Sequence, residues 1–190
     1  PDEARAGRWV SGTFGWWWRY EDGSYPTSTQ LRIDGAIYRF NARGYMVTGW
    51  VYEDGQWYYY GASGGQSAGW VRVHGTWYYL DPLTGAMASG WTKVQGTWYY
   101  LSSSGAMRTG WVRDGSAWYY LTSSGALATG WQRVGSSWYY LSPDGGAMAT
   151  GWLRDGDAWY YLTSSGAMAT GSRWIDGTRY AFDDEGRLMP

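Results

Sequence analysis

Six tryptophans each follow a glycine: Trp50, Trp70, Trp91, Trp111, Trp131 and Trp152. Seven residues beyond each stands the first Trp of a W-Y-Y triplet: Trp57, Trp77, Trp98, Trp118, Trp138 and Trp159. No ionisable partner is fixed beside these rings in every unit, so the chemistry they offer is that of aromatic faces. Three such faces turned on one small space attract a quaternary ammonium through the ring quadrupoles while its methyls leave water. Flat pyranose faces also stack on Trp, and aromatic stripes also serve as plain core. Sugars usually require several fixed polar groups for orientation. The position two beyond each first Trp instead varies: Tyr52, Arg72, Lys93, Arg113, Arg133 and Arg154.

Other chemistries find few residues. The one histidine, His74, lies in the turn Val73-His74-Gly75, and cysteine is absent. No Ser/His or Cys/His relay can be assembled, and zinc would lack ligands. The clustered carboxylates Glu53-Asp54 and Asp183-Asp184-Glu185 fall in turn-like stretches, where Asp and Glu are common for local reasons. The expectation is no catalytic residue, no metal and no cofactor. Net charge is −1, from 15 Lys plus Arg against 16 Asp plus Glu. Without a basic cluster, nucleic-acid binding is not expected. No apolar run approaches the ~18 residues of a membrane span, so no membrane insertion is expected. The start, Pro1-Asp2-Glu3, carries neither an initiator Met nor a signal peptide and reads as a mature or excised module of something longer.

The rings need elements to position them. From Gly110 to Leu121 the chain reads G-W-V-R-D-G-S-A-W-Y-Y-L, two short aromatic and β-branched runs around Asp114-Gly115. That is the signature of a β-hairpin. The unit recurs at steps of 20 or 21 residues, with the extra residue in connectors such as Asp81-Pro82-Leu83-Thr84-Gly85 and Pro143-Asp144-Gly145-Gly146. Triplet starts at 16, 37, 57, 77, 98, 118, 138, 159 and 179 count nine units. The expected fold is all-β, a solenoid of stacked hairpins near 9–19, 30–40, 50–60, 70–80, 91–101, 111–121, 131–141, 152–162 and 172–182, forming one module over 1–190. A stack can enlarge its core without disulfides. Gly moves from five to four residues after the first Trp between Gly55, Gly75, Gly96 and Gly115, Gly135, Gly156. The strand register stays open on that ground.

Comparison among the units separates two roles. The middle triplet position is aromatic in all nine: Trp17, Tyr38, Tyr58, Tyr78, Tyr99, Tyr119, Tyr139, Tyr160 and Tyr180. Positions i and i+2 share a strand face. The face of the two Trp and the last Tyr lapses in the second unit (Gln30, Ile37, Arg39) and in the ninth (Ser172, Arg179, Ala181). Packing positions should persist and ligand positions can lapse. The middle Tyr and following Leu are therefore assigned to core, and the flanking Trp and Tyr to a ligand. Met46, Met87, Met107, Leu127, Met148 and Met168 in the connectors are expected to tuck back under an aromatic.

The units G-W-x-x-x-x-x-x-W-Y-Y-L-x-S-S-G-A-M-A-T-G-W resemble the choline-binding (cell-wall-binding) repeats of Gram-positive surface proteins and phage lysins. The opening W-W-R-Y-E-D-G-S-Y-P, then I-D-G-x-x-Y-x-F-x-x-x-G-Y-M-x-T-G-W, is similar to the entry into the repeat module of autolysin-type amidases. The resemblance runs from about Trp9 to Leu188. It implies a left-handed solenoid with about three hairpins per turn, and choline held by two Trp of one hairpin and one Tyr of the next. Carried over, the cages are Trp50, Trp57, Tyr79; Trp70, Trp77, Tyr100; Trp91, Trp98, Tyr120; Trp111, Trp118, Tyr140; and Trp131, Trp138, Tyr161. Met87, Met107, Leu127 and Met148 lie beneath, with Gln66 under the first cage. Trp152 with Trp159, and Trp9 with Trp16, would be partial sites, meeting Ala181 and Arg39; Gln30 and Ile37 would make no cage with Tyr59. The implied function is a non-catalytic module anchoring a surface protein or lysin to choline-bearing teichoic acid, secreted and held non-covalently at the bacterial cell wall. Any catalytic domain would lie outside the chain. Glucan or another cell-surface glycan is the alternative ligand, and a homodimer through the terminal hairpins stays open.

Overall fold

The computed structural model describes residues 1–190, and every regular element in it is a β-strand. After β1 (Asp2–Glu3) the strands come in antiparallel pairs. The first four hairpins are β2 (Gly7–Gly12) with β3 (Gly15–Tyr20), β4 (Thr29–Ile33) with β5 (Ala36–Phe40), β6 (Gly49–Glu53) with β7 (Gln56–Tyr60), and β8 (Gly69–Val73) with β9 (Thr76–Leu80). Then follow β10 (Gly90–Val94) with β11 (Thr97–Leu101), β12 (Gly110–Asp114) with β13 (Ala117–Leu121), and β14 (Gly130–Val134) with β15 (Ser137–Leu141). The last two are β16 (Gly151–Asp155) with β17 (Ala158–Leu162), and β18 (Gly171–Ile175) with β19 (Thr178–Phe182). β1, which the sequence reading did not foresee, lies parallel to β4, pairing Asp2 with Leu31. The chain divides into two compact units: Pro1–Gly90 with Leu101–Met107, and Trp91–Tyr100 with Arg108–Pro190.

The register left open by the moving glycine is the same on both sides of the change. Tyr52 pairs Trp57 in one hairpin and Arg113 pairs Trp118 in another. Two mirror-image turns produce it. Asp54-Gly55 has φ of 50° and 79°, positive at both central residues as a type I′ turn requires. In the β12–β13 hairpin the loop keeps the same two places, Gly115-Ser116, but the glycine comes first and only that position has positive φ (58°), the type II′ pattern. Both turns match the right-handed twist of the strands, so the loop keeps two residues and the tryptophans keep their places.

Connectors interlock the hairpins. Each hands one backbone bond to its own hairpin and one to the hairpin before: Ala88 N–H donates to Tyr79 O and Met87 N–H to Trp57 O, both 2.8 Å. In the second unit Ala128 and Leu127 do the same to Tyr120 and Trp98, again at 2.8 Å. The turn opening the connector after β9 is held by Asp81, whose carboxylate accepts the Leu83 and Thr84 amides at 3.0 and 2.8 Å. Those bonds, Thr84's first, keep its carboxyl below the usual range.

The residue closing each second strand is the core. Leu80, Leu101, Leu121, Leu141 and Leu162 are fully buried, as are Phe40 and Tyr60 at the same position. Each of these leucines bridges the Met or Leu of its own connector, as Leu121 does Leu127. Burying each such side chain contributes about 1.5–3 kcal/mol. With one such residue per ~20, stability grows by addition of repeats.

Candidate functional site: aromatic clefts between hairpins

A hairpin has two faces, and consecutive hairpins within a unit meet face to back. On one face of the β6–β7 hairpin lie Trp50, Trp57 and Tyr59; the register sets Trp50 opposite Tyr59, ring centroids 5.0 Å apart. The two tryptophans stand edge to face, 6.4 Å apart at 87°. The opposite face of the next hairpin supplies Tyr78, 4.8 Å from Trp50 at 66°. Met87, bonded through its amide to Trp57, lies against the same space, and the open cleft of about 290 Å³ is lined by Trp50, Trp57, Tyr78, Met87 and Ser104.

The second unit repeats this geometry. Trp91 lies 4.9 Å from Tyr119, and with Trp98 and Leu127 they line a cleft of about 430 Å³ that also touches Asp144. Trp131 lies 4.9 Å from Tyr160; with Trp138 and Met168 they line one of about 370 Å³, touched by Asp184, Glu185 and Arg187. Trp111 is 4.8 Å from Tyr139, and Met148 is bonded to Trp118. In the first unit Trp70 and Trp77 keep the perpendicular pairing, with Met107 bonded to Trp77. The second tryptophan of the regular hairpins keeps about two fifths of its surface exposed, from Trp77 at 41% to Trp159 at 45%. A flat face stays open to solvent in each.

The ring closing each cleft is thus the middle Tyr, not the last one. Tyr79, Tyr100, Tyr120, Tyr140 and Tyr161 pack instead on the first Trp of their own hairpins, at 5.0–5.2 Å. Strand alternation places the last Tyr on the same face as the two Trp. A ring contributed by the following hairpin has to come from its opposite face, where the middle Tyr points. The middle Tyr, assigned to core from sequence, is only half-buried. An aromatic ring at that position in all nine units was the available signal.

Three further expectations change for the same reason. Trp152 meets Tyr180 at 4.8 Å rather than Ala181, so that cleft has its third ring, with Leu188 bonded to Trp159. Trp9 meets Tyr38 at 4.8 Å rather than Arg39, with Met46 bonded to Trp16. Gln66 is bonded to Ile37 and belongs to the preceding interface, not to the Trp50 cleft. There Gln30, Ile37, Tyr58 and Gln66 replace the cage in a polar cavity of about 590 Å³. Arg39 pairs with Glu53, and Gln30 donates to Glu53 at 3.2 Å and to the Tyr60 hydroxyl at 2.9 Å. Burial, the largest cause, pushes the Tyr60 phenol up to about 12.

Two carboxylates fix indoles in place. Asp114, at the end of β12, accepts the Trp91 indole N–H at 3.0 Å, and Asp155, at the end of β16, accepts that of Trp131 at 2.9 Å.

Fold and clefts together define a β-hairpin repeat protein with aromatic clefts between neighbouring repeats. The choline-binding repeat model matches residues 27–68, 54–89, 88–129 and 128–172, and the chain belongs to the choline-binding repeat family. Choline binding protein F from Streptococcus pneumoniae, solved with a peptidoglycan analogue, is 37% identical with a TM-score of 0.80, over 92% of this chain and 61% of that one. CbpJ from the same species is 29% identical over 97% of this chain and 94% of its own, TM-score 0.77. The modular autolysin LytC of S. pneumoniae is 34% identical over 97% of this chain and 42% of its own, TM-score 0.71. The chain therefore spans 61% of protein F. No curated protein sequence matches it.

Proposed function

We propose that this chain is a non-catalytic choline-binding module that anchors a surface protein or lysin to choline-bearing teichoic acid, secreted and held non-covalently at the cell wall. The observation that carries the reading is the cleft itself: two perpendicular tryptophans, a tyrosine from the next hairpin and a thioether or leucine, with one aromatic face open to solvent. Such a space accepts a trimethylammonium group, whose charge meets ring faces and whose methyls meet apolar carbon. In six tryptophan pairs, from Trp9 with Trp16 to Trp152 with Trp159, the middle ring of the next hairpin meets the first Trp. The geometry thus supports up to six sites against the five expected from sequence.

Each ring–cation contact contributes about 0.5–2 kcal/mol, and binding costs absorb part of three such contacts. A Kd of 1 mM corresponds to about 4 kcal/mol, so single clefts should bind at about millimolar strength. A polymer bearing many cholines gains roughly 10²–10⁴ by effective concentration. Weak clefts in series make an anchor. Calorimetric titration with choline, alongside glucose oligomers, tests this. Millimolar binding at more than five sites is expected; heat with the sugar and none with choline would overturn it.

A further inference from the structure

The clefts have the same rings but not the same charges. The Trp131 cleft has Asp155 on its indole N–H and Asp184 and Glu185 along its lining, against the cation Arg187, which is hydrogen-bonded to the Tyr160 hydroxyl. Arg133, opposite Trp138 in the ladder, adds a second guanidinium, so the three carboxylates exceed the cations by one charge. The Trp91 cleft has Asp114 and Asp144, against Lys93, whose ammonium lies 5.6 Å from the Trp98 ring centroid. One negative charge remains. The Trp50 cleft has Val73 where those two have Asp114 and Asp155, and Ser104 where they have Asp144 or Glu185. Its lining is uncharged, and Tyr52 rather than a cation lies against Trp57, at 5.1 Å.

We infer that the clefts form graded cation sites, in which carboxylates make the Trp131 and Trp91 clefts tighter, and the Trp50 cleft holds its ligand by rings alone. The inference rests on the proposed choline reading and deepens it by assigning affinity to particular clefts. The carboxylates act in two ways. Asp114 and Asp155 are positioning residues, holding an indole at its cleft before the ligand arrives. Asp144, Asp184 and Glu185 stand at the rim, where a carboxylate attracts a passing cation without displacing a ring. All five are exposed, so their effect belongs to low ionic strength and fades as salt shortens the screening length. An exposed ion pair contributes little singly, and two such charges amount to about fivefold in affinity at low salt. The Trp50 cleft, lacking them, should be nearly indifferent to salt.

The test follows the indole N–H resonances of Trp50, Trp91 and Trp131 in the full chain, assigned by single Trp→Phe variants, during titration with choline. At low salt Trp131 and Trp91 should titrate before Trp50, and the ranking should collapse at about 0.5 M NaCl. The neutral isostere 3,3-dimethylbutan-1-ol should show no ranking. Asp184→Asn with Glu185→Gln should weaken choline about fivefold at Trp131 and leave Trp50 unchanged, while Arg187→Gln should tighten it. Equal affinities at the three clefts with choline shifting every indole would overturn the grading alone. So would the same ranking for the neutral isostere. Indoles silent to choline would overturn the grading together with the reading beneath it.

Discussion

Exchanging one ring for its neighbour separates the two halves of a cleft. Tyr119 and Tyr120 are adjacent and of one chemistry, yet Tyr119 faces Trp91 of the preceding hairpin and Tyr120 faces Trp111 of its own. Tyr119→Ala removes a wall of the Trp91 cleft, a contact of about 0.5–2 kcal/mol, or roughly 2- to 30-fold in Kd. Starting from millimolar, that cleft leaves the measurable range, and calorimetry should count one choline fewer. Tyr120→Ala deletes an edge-to-face pair inside a hairpin, about 0.5–1.5 kcal/mol of stability beyond the lost burial. It should lower Tm and keep the Trp91 cleft occupied. Trp91 indole shifts report the cleft directly, and thermal melts report the hairpin. If Tyr120→Ala silences Trp91 while Tyr119→Ala does not, the face-to-back stacking argued above is wrong.

Core, connector and pH dependence give three further outcomes. Leu141, fully buried, should cost about 2–5 kcal/mol when cut to Ala, measured by urea unfolding with choline absent. Gly105 sits at φ 80° with the Met87 sulfur 2.3 Å from where a Cβ would stand. Gly105→Ala should cost about 1–2 kcal/mol in backbone strain and, by displacing Met87, weaken choline at the Trp50 cleft on its indole signal. Tyr60, pushed up to about 12 by burial, binds its proton more tightly folded than unfolded. Its contribution is whole below pH 10 and is lost as pH rises toward 12, so alkaline melts should fall across that window. Tyr60→Phe should flatten that part of the fall; an unchanged slope would refute the assignment.

The hairpins were legible because a spacing of seven between tryptophans and a step of 20 or 21 leave strand, turn and connector little choice. The buried leucine was legible too, by its place after five of the six W-Y-Y triplets. The cleft tyrosine was not, and the reason is geometric. Alternation along β13 says that Tyr119 and Tyr120 point to opposite sides, but not which side meets the hairpin before. The lapse of one face in the second and ninth units pointed to a ligand face on a single hairpin, whereas the space is shared by two. Trp152 and Trp9 were judged incomplete through the same slip, since Ala181 and Arg39 occupy the position of the wrong tyrosine. The bonds from Trp91 to Asp114 and from Trp131 to Asp155 span 23 and 24 residues, and nothing local in the sequence announces them.

The way each connector bonds to the hairpin before it has a genealogical reading. A repeat brings two rings for the cleft ahead, one ring for the cleft behind, and the amide that seats Met or Leu against its predecessor. Cut anywhere by one whole period and rejoined, the strand ends still find partners of the same shape, because every junction is the same junction. Unequal crossing-over within such a gene would lengthen or shorten the array by one cleft at a time without spoiling the rest. The second hairpin, with its Arg39–Glu53 pair in place of rings, then marks a repeat that kept its joinery after its cleft had decayed.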